Sequence, residues 1–208
     1  MSLRSARVAA ISTAIAALVS MTAGGAATSA TAGIRPGSPV DALSPIPALS
    51  PEQEQISPRP GDVATLDGII RAYYEVVSGP AGVPRQVERD RSLHWPGVKV
   101  AMTGKGPDGE PFVRSMTLAE YHQGSEDPAS GFWESEIHRV TQRFGQIVHV
   151  WSTYEWRSEE EGPVQGRGIN SIQLYHDGER WWVMTWIYDS ERPDNPIPPE
   201  YLPPAGTR

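Results

Sequence analysis

The 208-residue chain contains no cysteine. That excludes a disulfide scaffold, a thiolate metal site, a cysteine nucleophile and a lipid-anchored N-terminal cysteine. Basic residues are also scarce: 18 Lys and Arg stand against 25 Asp and Glu, for a net charge of −7. A nucleic-acid groove needs a basic stripe, so no nucleic-acid partner is expected. Motifs for cofactors are missing as well. There is no P-loop or Rossmann glycine pattern, no H-x-H or H-E-x-x-H spacing for zinc, and no G-x-S-x-G elbow for a serine hydrolase. The sequence therefore points to neither a metal nor a nucleotide cofactor.

The first 32 residues read as an export signal. Arg4 and Arg7 form a positive start, Val8 to Met21 is a 14-residue apolar run, and Ala30-Thr31-Ala32 supplies small residues for cleavage before Gly33. A spanning helix needs about 20 apolar residues, so no permanent membrane span is expected. The expected location is secreted or periplasmic. Lack of cysteine does not oppose this, because the remaining chain is long enough to bury a core without disulfides.

Proline punctuates both flanks of that remaining chain. Seven prolines lie between Gly33 and Pro60, and proline neither donates a backbone hydrogen bond nor tolerates a helical residue before it. Residues 33–60 are predicted to be a disordered or extended tether. Residues 193–208 form a second Pro-rich segment, whose Ile197, Tyr201 and Leu202 could pack along a surface. One domain, 61–192, remains between them.

Its opening is helical. Asp62 is placed to cap a helix in which Val63, Leu66, Ile70, Tyr73 and Val77 share one face, ended by Ser78-Gly79-Pro80. A weaker helix follows from Pro84 to about Leu93, then strands at 98–102 and 111–116 around a turn. Thr117-Leu-Ala-Glu120 is a capping box that opens a short helix. Four long strands come last. Trp133–Phe144 and Ile147–Arg157 flank a Gly145-Gln146 turn, which sets Arg139 opposite Ser152 and Glu134 opposite Arg157. Arg167–Tyr175 and Arg180–Asp189 flank Asp177-Gly178, which sets Leu174 opposite Trp181, Ile172 opposite Val183 and Asn170 opposite Thr185. One face of this second hairpin then carries Leu174, Ile172, Trp181, Val183 and Ile187. The other carries Ile169, Trp182, Met184, Trp186 and Tyr188. A sheet with one wet face alternates apolar and polar. Apolarity on both faces implies a second cover, either another subunit or a docked tail, and a homodimer through Trp182, Met184 and Trp186 is expected.

The order helix, helix, strand pair, short helix, four long strands resembles that of the nuclear-transport-factor-2-like superfamily, which includes SnoaL-like polyketide cyclases and ketosteroid isomerases. The resemblance spans Val63 to Asp189. It is borne by the 63–79 helix, His149-Val-Trp-Ser-Thr-Tyr-Glu155, Arg167-Gly-Ile-Asn-Ser-Ile-Gln173 and Asp177-Gly with Trp181-Trp-Val183. It implies an α+β fold: a cone-shaped domain whose N-terminal helices pack on a curved antiparallel sheet and enclose a pocket, commonly as a homodimer. Catalytic members place an Asp or His acid/base just after the second helix, where this chain reads Ser92-Leu-His94-Trp-Pro-Gly97. His94 is thus the candidate catalytic base, and the alternative role for it is a helix end near the C-terminal dipole. The other histidines, His138 and His149, read as structural or surface groups, and Ser158-Glu-Glu-Glu-Gly162 as a solvated loop.

Polar groups on otherwise aliphatic strand faces mark a ligand site. Here these are Arg139, Ser152, Tyr154, Asn170 and Thr185, and the expected ligand is a small, partly apolar organic molecule. Three function classes stay open: an exported small-molecule-binding domain without catalysis, a cofactor-free isomerase, dehydratase or cyclase using His94, and a dimerising interaction module. The missing Asp favours binding. The export reading has a direct check: intact-mass measurement of the protein recovered outside the cytoplasm should give a chain beginning at Gly33, and recovery of a chain retaining Met1 in the membrane fraction would refute it.

Overall fold

The computed structural model of the protein describes residues 56–204 and 206. The signal at 1–32 and residues 33–55 of the tether lie outside the described residues. Three helices come first: α1 (Pro60–Val63), α2 (Leu66–Glu75) and α3 (Val87–Leu93). Strands β1 (Lys99–Lys105) and β2 (Pro111–Thr117) follow, then α4 (Leu118–Tyr121). The long strands are β3 (Trp133–Phe144), β4 (Ile147–Arg157), β5 (Gly166–His176) and β6 (Trp181–Ser190), with a 3-10 turn at Pro199–Tyr201. All six strands join one sheet in the order β2-β1-β6-β5-β4-β3. Neighbours are antiparallel except β1 and β6, which run parallel through Ala101–Ile187 and Met102–Tyr188. This is the α+β architecture implied by the sequence, with helices α2 and α3 against the sheet and one parallel pair in place of a wholly antiparallel order.

The first helix departs from its expected form. The sequence suggests a single helix capped by Asp62; instead the chain breaks after Val63, and Thr65 becomes the cap of α2. Its backbone is extended (φ −133°, ψ 158°) and its hydroxyl accepts from the Gly68 N–H at 2.9 Å. The break frees Asp62 for a different task. Its carboxylate receives both forks of Arg89 on α3, at 2.7 and 2.8 Å, and Arg89 also reaches Glu75 at 2.6 Å. This pair ties α1 to α3 with side chains only 5% and 10% exposed. On α2, Ile69, Ile70, Tyr73 and Tyr74 all face the core, the spacing of one stripe on a 3.6-residue helix. They meet Val100, Val150, Ile172, Leu174 and Val183 from the sheet. The Thr117–Glu120 capping box forms as expected, with both reciprocal bonds present.

Two β-bulges interrupt the long strands. In β3–β4 the expected register holds from Phe144–Ile147 to His138–Thr153, but Ile137 is an extra residue, so Glu134 pairs with Trp156 instead of Arg157. In β5–β6 the turn spans two residues more than expected, pairing His176 with Trp181 and Leu174 with Val183. Beyond this, Met184 is extra, and Ile172 then pairs with Trp186 and Asn170 with Tyr188. Each inserted residue reverses the facing of every residue beyond it. The face expected to carry Trp182, Met184 and Trp186 together therefore does not exist as one surface. Trp186 turns inward and is 3% exposed, while Trp182 lies on the outer side, packed edge-on against Trp95 and beneath the Arg180 guanidinium at 3.6 Å.

The C-terminal tail covers part of that outer side. Ile197 is buried, the Tyr201 ring lies 5.7 Å from that of Trp151, and the Thr153 hydroxyl donates to the Tyr201 carbonyl at 2.5 Å. The outer apolarity that suggested a second subunit is thus partly met within the chain.

The Asp62–Arg89 pair sets an expectation for stability. Arg89 holds the Asp62 carboxyl below the usual range, so its contribution is present above about pH 4 and lost as the pH falls through the lowered value. Arg89→Met leaves Asp62 buried without its partner and should destabilise the fold by about 3 kcal/mol at neutral pH, read by urea denaturation. Asp62→Asn should lose less, and should flatten the acid limb of the stability profile between about pH 5 and pH 2.

Candidate functional site

The elements converge on a cavity of about 150 Å³ between the helices and the inner face of the sheet. Tyr73 enters from α2, Tyr121 from α4, and Phe132 from the approach to β3. On β4, Tyr154 and Trp156 lie two residues apart and so face the same way. The Met184 bulge brings Trp186, Tyr188 and Ser190 of β6 to this side, and the Ile137 bulge brings Glu134. Asn170 of β5 completes the wall. Close ring contacts hold the aromatics in place: Tyr121 to Trp186 at 5.0 Å, Tyr73 to Trp186 at 6.1 Å, Tyr154 to Tyr188 at 6.4 Å, and Phe132 stacked on Trp156 at 5.6 Å.

Tyr154 can adopt this position only because residue 168 is glycine. A Cβ there would lie 2.6 Å from Tyr154 Cζ and 2.5 Å from the Asp189 carbonyl oxygen, closer than any packed carbon tolerates. The tyrosine ring crosses β5 over the space left by the missing side chain.

Glu134 is the chemical centre of the site. It stands between the cavity and a groove of about 810 Å³ on the other side of α2, lining both. The residue is half-buried, with protein packed closely around its carboxyl. Desolvation pushes its pKa up to about 8, with Asn170 pulling it part of the way back. Burial likewise raises Tyr73, Tyr121, Tyr154 and Tyr188 above the ordinary phenol value. At neutral pH the wall is therefore uncharged and rich in hydroxyl donors.

Behind this wall runs a directed chain of hydrogen bonds. The Tyr73 hydroxyl donates to Asn170 Oδ1 at 3.4 Å, and Asn170 Nδ2 donates to the Tyr74 hydroxyl at 3.2 Å. Tyr74 meets Ser152 Oγ at 2.6 Å, and Ser152 donates to Glu136 at 2.5 Å. Glu136 is gripped by Arg139, which extends to Asp67 at 2.7 Å. With Ser152 donating outward, Tyr74 must donate to Ser152, and each group has a fixed role.

The sequence-derived residues fall into distinct places. Tyr154 and Asn170 line the cavity. Ser152 is fully buried two bonds behind Asn170, beyond Tyr74, and Arg139 anchors the far end, lining the groove. Thr185 is on the outer side of the sheet, its hydroxyl donating to the Lys99 carbonyl at 2.8 Å. His94 caps the end of α3 and is not among the cavity residues. Its Nδ1–H donates to the Asp90 carbonyl at 2.9 Å, and its Nε2 accepts from the Trp186 indole at 3.2 Å. The lone pair a base would use is engaged there. Asp90 in turn bonds His122 at 2.7 Å, completing a buried pair beneath α4. Sequence reasoning misses Glu134, Tyr73, Tyr121, Trp156, Trp186 and Tyr188 as site residues. The signal for them is parity: only an extra residue in each hairpin puts Glu134 and Trp186 on the side of Tyr154.

No family model matches the chain, and no curated protein matches it. Among solved structures it is similar to a nuclear-transport-factor-2-like protein of unknown function from Shewanella baltica, at 9% identity and TM-score 0.41, covering 60% of this chain and 89% of that one. A similar protein from Methylobacillus flagellatus shows 10% identity and TM-score 0.41, with 62% and 95% covered. A candidate ketosteroid isomerase from Parabacteroides distasonis shows 14% identity and TM-score 0.41, with 61% and 88% covered. The architecture described above stands on the strand order and registers themselves.

The raised Glu134 pKa has a sign that can be checked. A carboxyl whose folded value exceeds its unfolded one favours folding when protonated, so stability should fall as the pH rises from about 4.5 to 8. Glu134→Gln removes that slope. The variant should gain on the wild type by a few kcal/mol at most at about pH 9 and be nearly equal to it at about pH 5, measured by urea unfolding at both pH values.

Proposed function

We propose that this chain is an exported domain that binds a small, partly apolar organic molecule in the cavity between α2, α4 and the inner face of the sheet. The single observation behind this reading is the wall itself: aromatic side chains around one enclosed carboxyl, with Asn170 oriented by its own partners. Convergent polar groups in an apolar enclosure are the usual form of a small-molecule site. A volume near 150 Å³ accommodates a guest of about benzene size. The export part of the reading rests on the N-terminal 32 residues alone.

A second reading is favoured by Glu134. A carboxyl with a pKa near 8 holds its proton at neutral pH and can both give and regain it, the requirement for general acid/base catalysis without a cofactor. An isomerase, dehydratase or cyclase would then use Glu134, not His94, whose two ring nitrogens are already bonded. Asn170 and the tyrosine hydroxyls would steady developing negative charge.

Screening the purified protein against small metabolites by native mass spectrometry tests the binding reading. One-to-one adducts are expected with the wild type and should be lost in Ser190→Phe, which fills the cavity from β6. Adducts that persist in the filled variant would place binding elsewhere. For any compound that is turned over, Glu134→Gln should lower the rate by about 10²–10⁴-fold, with His94→Gln affecting stability more than rate.

A further inference from the structure

The composition of the cavity wall narrows the ligand further. Of the ten described residues lining it, seven are aromatic, two are neutral and polar, and Glu134 is the one carboxyl. No Lys, Arg or His is among them. An aromatic ring carries negative potential on its face, and a carboxylate adds full negative charge when ionised, so every charged or quadrupolar group in the wall favours a positive guest. A carboxylate or phosphate guest would instead be expected to meet a fixed cationic donor, and none of the described cavity residues supplies one. The three arginines lining the neighbouring groove are committed elsewhere: Arg139 to Glu136 and Asp67, Arg89 to Asp62 and Glu75, and Arg71 to Glu75 and the Gly61 carbonyl.

We propose that the cavity selects a small organic cation, a tertiary or quaternary ammonium group held by the aromatic wall and by the Glu134 carboxylate. This rests on the small-molecule reading above. Water exclusion strengthens the attraction between such a cation and aromatic rings, and tetramethylammonium is close to benzene in volume, the size of guest the cavity accommodates.

The proposal has a protonic consequence. At neutral pH Glu134 carries a proton, and an entering cation favours its release, so binding and deprotonation are linked. The other titratable groups facing Glu134 are Tyr73 and Tyr74 on α2, Tyr121 on α4, Tyr154 on β4 and Tyr188 on β6. All are raised by burial and stay neutral between about pH 6 and 9. Glu136 on the same strand is paired with Arg139, and Asp90 on α3 is bonded to His122 beyond Tyr121.

Tetramethylammonium chloride and tert-butanol, which has the same number of heavy atoms and no charge, discriminate the possibilities. Titration of the purified protein is followed through the indole NMR signals of Trp156 and Trp186, the two tryptophans of the cavity wall. Tetramethylammonium is expected to shift both and to bind at least tenfold more tightly than tert-butanol at about pH 8.5. Its affinity should rise by about tenfold per pH unit below about pH 8 and level off above, one proton leaving per cation bound. Glu134→Gln should lose the pH dependence and narrow the selectivity at least fivefold, leaving only what the aromatic wall supplies. Tyr188→Leu should weaken binding at least fivefold and keep the pH dependence, which separates loss of the cage from loss of the charge. Equal affinity for the two probes, or a tetramethylammonium affinity independent of pH, overturns the ammonium assignment and leaves the small-molecule reading standing. If neither probe moves either indole signal, both fall.

Discussion

A β-strand sends consecutive side chains to opposite faces, so a single residue inserted without a partner reverses the sense of everything beyond it. The interior of this domain depends on that happening twice. Ile137 in β3 and Met184 in β6 have no cross-strand partner. Beyond the first, Glu134 and Glu136 turn toward the helices. Beyond the second, Trp186, Tyr188 and Ser190 do the same. Without either bulge the sheet would keep its strand order, but the cavity would lose its carboxyl and much of its aromatic wall.

The charges that this inward turn creates are managed in two different ways. Glu136 is neutralised by Arg139 and receives the Ser152 hydroxyl, ending a chain of hydrogen bonds that begins at Tyr73. Glu134 has no cationic partner among the described residues, and the interior answers by keeping it protonated near neutral pH. One carboxylate is thus a structural terminus, while the other, two residues away, retains chemical freedom. The distinction depends on Arg139, whose reach to Asp67 on α2 also ties the outer strand to the helical layer.

Much of the scaffold is legible in the sequence because local rules dominate there. The Thr117–Glu120 capping box, the Gly145-Gln146 turn and the apolar stripe of α2 each depend on a few neighbouring residues. The failures share a cause in long-range pairing. Asp62 looks like a helix cap on local grounds, yet Arg89, far along the chain, claims it and leaves the cap to Thr65. Simple alternation assigns Thr185 and Trp186 to the wrong faces, and nothing in their immediate neighbours contradicts it. His94 sits where a family resemblance would put a base, but Trp186 reaches its Nε2 only after the bulge has turned the indole inward. Tyr154 and Asn170 are legible because the inserted residues lie in β3 and β6, so alternation holds unbroken along β4 and β5.

The tail adds a further consequence. Six prolines lie between 193 and 204, so this segment can lie across the outer sheet face while offering few backbone donors for strand pairing. It is held through Ile197, the Tyr201 ring and the Tyr201 carbonyl. A cover supplied by a second copy would fall away on dilution, because its occupancy follows protein concentration. A cover on the same chain has a local concentration fixed by its connection to β6. The patch around Trp151 is therefore shielded equally in a dilute and a crowded surrounding.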